Sequence, residues 1–119
     1  MLSFMKHKDY RQQKKRVMGL FEVWRPRVGV QNFKLTYTWS GTVDEDYVMK
    51  TGGKWQYLDA WIDVCLPRCL GLTDDELEWV VVHELLHVAL LPIGALGTER
   101  HDLEERVCTE LAWAFVRMK

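Results

Sequence analysis

No uninterrupted apolar stretch in these 119 residues approaches the ~20 that a membrane-spanning helix needs. The first residues, where Lys6, Lys8 and Asp9 closely follow Phe4 and Met5, lack the apolar core of a signal peptide. The expected setting is the cytoplasm. Cysteine is sparse: Cys65, Cys69 and Cys108 cannot all pair, and the first two are not spaced as Cys-x-x-Cys. Buried thiols in a reducing compartment are therefore a simpler reading than a disulfide or a thiolate metal site. Proline is limited to Pro26, Pro67 and Pro92, each expected to end an element. Internal repeats and low-complexity tracts are missing too, so nothing divides the chain into two domains.

What is present fits one small domain with a genuine core, at 48% apolar and 28% charged residues. The net charge of −1 hides an uneven distribution. Up to Lys34 nine Lys/Arg face two acids; the remaining seven Lys/Arg face fifteen acids, so +7 is set against −8. A basic leading segment of this kind is compatible with a nucleic-acid or acidic partner, but the solvated face of a helix packed on an acidic body is the favoured reading.

Tyr10, Val17, Phe21 and Trp24, joined by Met18 and Leu20, recur at helical spacing and predict an amphipathic helix from about Lys6 to Trp24, stopped before Pro26. From Val28 to Trp39 the period changes to two, with Phe33, Leu35, Tyr37 and Trp39 on one side of a strand. Thr42 to Lys54 reads as a loop or weak short strand, its Asp44-Glu45-Asp46 run a solvated tip and Gly52-Gly53 a turn. A second strand is expected over Gln56 to Leu66, and a final helix from near Asp102 folds back on the one before it.

That preceding helix carries the informative residues. Thr73 and Glu76 have capping-box spacing, and the apolar run that follows contains His83-Glu84-Leu85-Leu86-His87. A separation of four puts both imidazoles on one helix face, where they can converge on a metal ion, with Glu84 beside them as a general base. Imidazoles with an open coordination position suit Zn2+, and the chemistry implied is hydrolysis, most plausibly of a peptide bond. Two core histidines and a glutamate on an ordinary helix are the plainer alternative, but burying them without a partner is costly.

A catalytic zinc needs a third protein ligand. On the last helix Val107, Leu111, Phe115 and Met118 predict an apolar stripe that includes Glu104, which favours Glu104 as the ligand. Glu105 follows, with Asp102 as N-cap and Glu105 at the third helical position as a capping pair. His101 is either a competing ligand or a group that stabilises the oxyanion, and Glu110 faces away. Tyr57 and Tyr47 are weaker oxyanion candidates.

His83-Glu84-Leu85-Leu86-His87 followed by Leu103-Glu104-Glu105-Arg106-Val107 resembles the small gluzincin-type metallopeptidases, particularly those encoded by bacteriophages and prophages. The resemblance covers mainly residues 73 to 118. It implies a minimal zincin-like α+β domain acting on peptide or protein substrates, with His83, His87 and Glu104 holding zinc, Glu84 as base, and Gln56 to Leu66 as the edge strand of the cleft. The Asn-Glu-x-x-Ser-Asp pattern of the larger gluzincins is missing, as are the Gly and third His of metzincins; SprT-type proteins use a third His, which would promote His101. A different class of function is a metal-stabilised regulatory or binding module with little or no hydrolytic activity.

Overall fold

The computed structural model describes residues 4–43, 46–94 and 98–118, without the side chains of 93, 94 and 98–101. Asp44 and Glu45 of the acidic run, Gly97 of the last connection and the side chain of His101 lie outside the described residues. In chain order the elements are α1 (His7–Val28), β1 (Lys34–Ser40), β2 (Met49–Lys54), a 3-10 turn (Trp55–Tyr57), β3 (Asp59–Cys65), α2 (Leu66–Leu70), α3 (Asp74–Ala89), α4 (Leu91–Gly94) and α5 (Thr98–Arg117). This is a small α+β protein with a three-stranded mixed sheet in the order β1-β3-β2. No helix among the described residues is long and apolar enough to cross a membrane.

The expected capping box starts α3: the Thr73 hydroxyl accepts from the Glu76 amide, and the Glu76 carboxylate accepts from the Thr73 amide. The helix is apolar almost all round, so it needs cover on every side. It gets that cover from α1, α5 and β2, and Leu77, Val81, Val82, Leu85 and Val88 are fully buried. Each such side chain contributes about 1.5–3 kcal/mol of burial free energy. The three cysteines are free and buried, as expected.

Helix α1 presents Val17, Phe21 and Trp24 to this core, joined by Gln13. It does not stop before Pro26. Proline removes one hydrogen bond to the carbonyl of Glu22, and both residues lie on the exposed face, where water can satisfy that oxygen. The helix closes at Gly29, whose left-handed φ of 87° returns its amide to the Arg25 carbonyl.

Strand β3 lies in the middle of the sheet, parallel to β1 (Leu35 opposite Ala60, Tyr37 opposite Ile62) and antiparallel to β2 (Thr51 opposite Ile62). Its face of Ala60, Ile62 and Val64 is buried as the alternation predicted. Two expectations need correction. The strand expected over Gln56 to Leu66 is shorter and central, so the free edge beside the helices belongs to β2. Gly52-Gly53 is also no turn but part of that edge strand, where close packing calls for glycine: a Cβ on Gly52 would sit 2.4 Å from the Trp61 indole nitrogen, and one on Gly53 would sit 2.6 Å from the Asp59 carbonyl oxygen. The chain reverses instead through the 3-10 turn and Leu58, at φ 54°.

Helix α5 starts at Thr98, before the expected Asp102, so Asp102 lies inside the helix and forms no N-cap with Glu105. Its buried stripe is Glu104, Cys108, Ala112 and Val116, turned from the predicted one, and Leu111 and Met118 are exposed. The turn follows the contact with α3, which small Ala112 and Cys108 allow to be close.

One cation joins three elements. Arg16 of α1 donates to the carbonyls of Cys69 and Leu72 (3.2 and 2.9 Å), to Gln13 (2.9 Å) and to Asp74 (2.9 Å). The Asp74 side chain is 94% exposed and adds little, whereas the carbonyl bonds are partly buried. Arg16→Met is therefore expected to destabilise the protein by about 2 kcal/mol and Asp74→Asn by about 0.5 kcal/mol or less, read from urea midpoints. Equal losses would mean that the surface ion pair, not the carbonyl bonds, carries the tie.

Candidate metal centre

The four-residue spacing on α3 sets the His83 and His87 rings edge to face, 4.8 Å between centres, with their Nε2 atoms 3.2 Å apart. From α5, Glu105 brings one oxygen to 2.8 Å from His83 Nε2 and the other to 2.9 Å from His87 Nε2. Glu104 approaches the opposite side of His87, its Oε1 2.7 Å from Nδ1. The Glu105 side chain is half exposed, whereas that of Glu104 is 6% exposed.

These contacts place the two carboxylates on different atoms of the histidines. Glu104 does lie in the buried stripe, as its angular position predicted, but the partner that satisfies it is the outer nitrogen of His87. Glu105, expected at the edge of the face with a capping role, meets both inner nitrogens, because α5 begins a turn early and leaves it free of that role. The backbone of His101 lies in the first turn of α5. Neither Tyr57 nor Tyr47 lines the cavity described below, and Tyr57 is exposed.

An ionised carboxylate only accepts, so in this pairing His87 Nδ1 carries the hydrogen, and in a neutral ring Nε2 is left with a lone pair. That lone pair faces a carboxylate oxygen and a second imidazole nitrogen. Either a hydrogen shared among these atoms or a cation between the three residues satisfies that lone pair. Burial holds His83 below the ordinary imidazole range, opposed by Glu105, which favours a neutral ring able to ligate. A tetrahedral ion with bonds of about 2.0–2.1 Å separates its ligand atoms by about 3.3 Å, close to the 3.2 Å between the two Nε2 atoms, with the Glu105 oxygens somewhat nearer at 2.8 and 2.9 Å. His83, His87 and Glu105 thus fit a divalent metal ion, with Glu104 fixing the tautomer of His87 from behind. His87, Glu104 and Cys108 form a second group of donor atoms within 4.8 Å of one another. It is the weaker candidate: burial pushes the Cys108 thiol up to about 12, and the hydrogen bond between His87 and Glu104 already engages its other two members.

Glu84 points to the sheet side. Thr51 of β2 donates to its Oε2 at 2.5 Å and also lies 3.3 Å from its main-chain oxygen. Burial pushes the Glu84 carboxyl up to about 7, against the Thr51 hydrogen bond. A carboxyl in that range exchanges protons readily near neutrality. A cavity of about 710 Å3 joins Glu84, His87, Glu104 and Glu105 with the edge strand from Met49 to Gly53, and with Trp55, Gln56 and Leu91.

Compared with known proteins, the chain matches no family model, no curated protein and no solved structure. Thr51 was not legible as a site residue, since nothing local marks its contact with Glu84. Trp79 was missed as well, although its place one helical turn before His83 is a local signal; its indole lies 5.0 Å from that ring.

Two outcomes are expected. In zinc titrations against a chromophoric chelator, Glu105→Ala should weaken binding by about 100-fold and Glu104→Gln by about tenfold; the reverse order would exchange their roles. The second concerns the metal-free protein. A carboxyl raised from 4.5 to about 7 on folding contributes stability that is full below about pH 4.5 and is lost as pH rises through about 7. Glu84→Gln should therefore gain thermal stability relative to the native chain on going from about pH 5 to about pH 8, and a constant difference would refute the raised value.

Proposed function

We propose that this protein is a zinc-dependent peptidase built on a minimal zincin-like domain. The observation that carries the reading is the convergence of His83 Nε2, His87 Nε2 and the Glu105 carboxylate within 3.2 Å of one another, with His87 and Glu105 lining a cavity shared with a buried Glu84 and an edge strand. His83, His87 and Glu105 would hold the ion. Zinc, when bound, lowers the pKa of a water to about 7 and polarises a carbonyl.

The chain's own residues supply the rest. Glu84, kept in place by the Thr51 hydroxyl and raised toward neutrality by burial, takes the proton of the attacking water and returns it to the leaving amine. Glu104 keeps the His87 ring in one orientation by accepting from Nδ1. Among the described residues strand β2 pairs with β3 alone, which leaves its other edge to bind an extended peptide by main-chain hydrogen bonds. Leu91 and Trp55 in the cavity lining give that peptide apolar contact.

Glu84→Gln tests this directly. It should bind zinc as the native chain does and lose casein or peptide-library cleavage by about 10²–10⁴-fold. Chelation should abolish cleavage, and stoichiometric zinc should restore it. Retained zinc with unchanged biological activity in the Glu84→Gln variant would point instead to a metal-stabilised binding module.

A further inference from the structure

The two histidines are supported differently. His87 has Glu104 on its outer nitrogen. The outer nitrogen of His83, Nδ1, is buried and has no hydrogen-bond partner among the described residues. A ligating imidazole ordinarily donates from that position to a carboxylate, carbonyl or water, which fixes both tautomer and ring plane. Among the described residues none gives His83 that support, yet its ring is as well buried as that of His87.

Aromatic rings surround it instead. Trp79, one turn earlier on α3, lies 5.0 Å from the His83 ring at 43°, and the His87 ring lies 4.8 Å from it at 70°. Trp79 is itself held from α5: Trp113 stacks on it at 5.5 Å and 28°, and its indole N–H points to the Thr109 carbonyl at 3.4 Å. Trp113, Trp79, His83 and His87 thus form a row of rings along the seam between α3 and α5. Ring contacts of this kind favour one ring orientation over its neighbours.

We propose that Trp79, backed by Trp113, is the positioning residue for His83, its indole face doing what Glu104 does for His87. The inference rests on the metal site proposed above and concerns affinity, not the proton transfer at Glu84. Removing the flat face frees the His83 ring to turn, and zinc loses one pre-oriented ligand. Trp79→Phe keeps an aromatic face and Trp79→Leu does not.

The test is zinc affinity by chelator competition on the full chain, with tryptophan emission recorded in parallel. Trp79→Leu should weaken zinc by at least about tenfold, Trp113→Leu by about threefold, and Trp79→Phe should stay close to the native value. Zinc should change the tryptophan emission of the native chain, and most of that change should vanish in Trp79→Phe while affinity persists. If Trp79→Leu does not fold, the Trp113→Leu affinity and the emission change decide, since Trp113 is 39% exposed and tolerant of replacement. Native affinity in Trp113→Leu and in a folded Trp79→Leu would overturn the proposal, as would a zinc-induced emission change that survives in Trp79→Phe. Failure of the native chain to bind zinc would instead refute the underlying site.

Discussion

The structure turns on a conflict within α3. The helix is buried on three sides, yet its middle carries two imidazoles and a carboxylate that cannot be left without partners in an apolar setting. Two neighbours answer them. Helix α5 supplies Glu105 to both Nε2 atoms and Glu104 to His87 Nδ1; strand β2 supplies the Thr51 hydroxyl to Glu84; and Trp79 of α3 itself lies against His83. The same contacts that make α3 tolerable in the core bring Glu84, His87, Glu104 and Glu105 to one cavity wall. Packing and site are one arrangement, and the tie of α1 through Arg16 to the start of α3 fixes the helix that carries it.

Patterns governed by local chemistry were legible in the sequence. The capping pair Thr73 and Glu76, the buried face of β3 and the helical stripe of Val17, Phe21 and Trp24 all follow from spacing and side-chain type. The convergence of His83 and His87 does too, since a separation of four fixes it on any helix. What was not legible depends on the neighbour. The proline in α1 is tolerated because its missing bond falls on the wet face. Gly52 and Gly53, strong turn signals in isolation, are small because Trp61 and the β3 backbone come close to them.

The choice between Glu104 and Glu105 shows the same limit within the site. Angular position identified Glu104 as the carboxylate on the buried side, and it is. A buried carboxylate needs a partner, but the reasoning does not say which atom of which histidine. The packing of the Cys108 and Ala112 stripe against α3 sets the rotation that gives Glu104 the outer nitrogen and Glu105 the inner pair. The result resembles a division of labour common in metal sites, one acid at the ion and another behind the imidazole.

The central claim is that two imidazoles and the Glu105 carboxylate hold one ion while Cys108 does not. Zinc-edge X-ray absorption of the protein as purified addresses it most directly. The account predicts about one zinc per chain, a first shell of nitrogen and oxygen at about 2.0–2.1 Å, and the scattering pattern of two imidazoles. A sulfur neighbour at about 2.3 Å would move the ion to the group containing Cys108, and a preparation that takes up no zinc would contradict the account altogether.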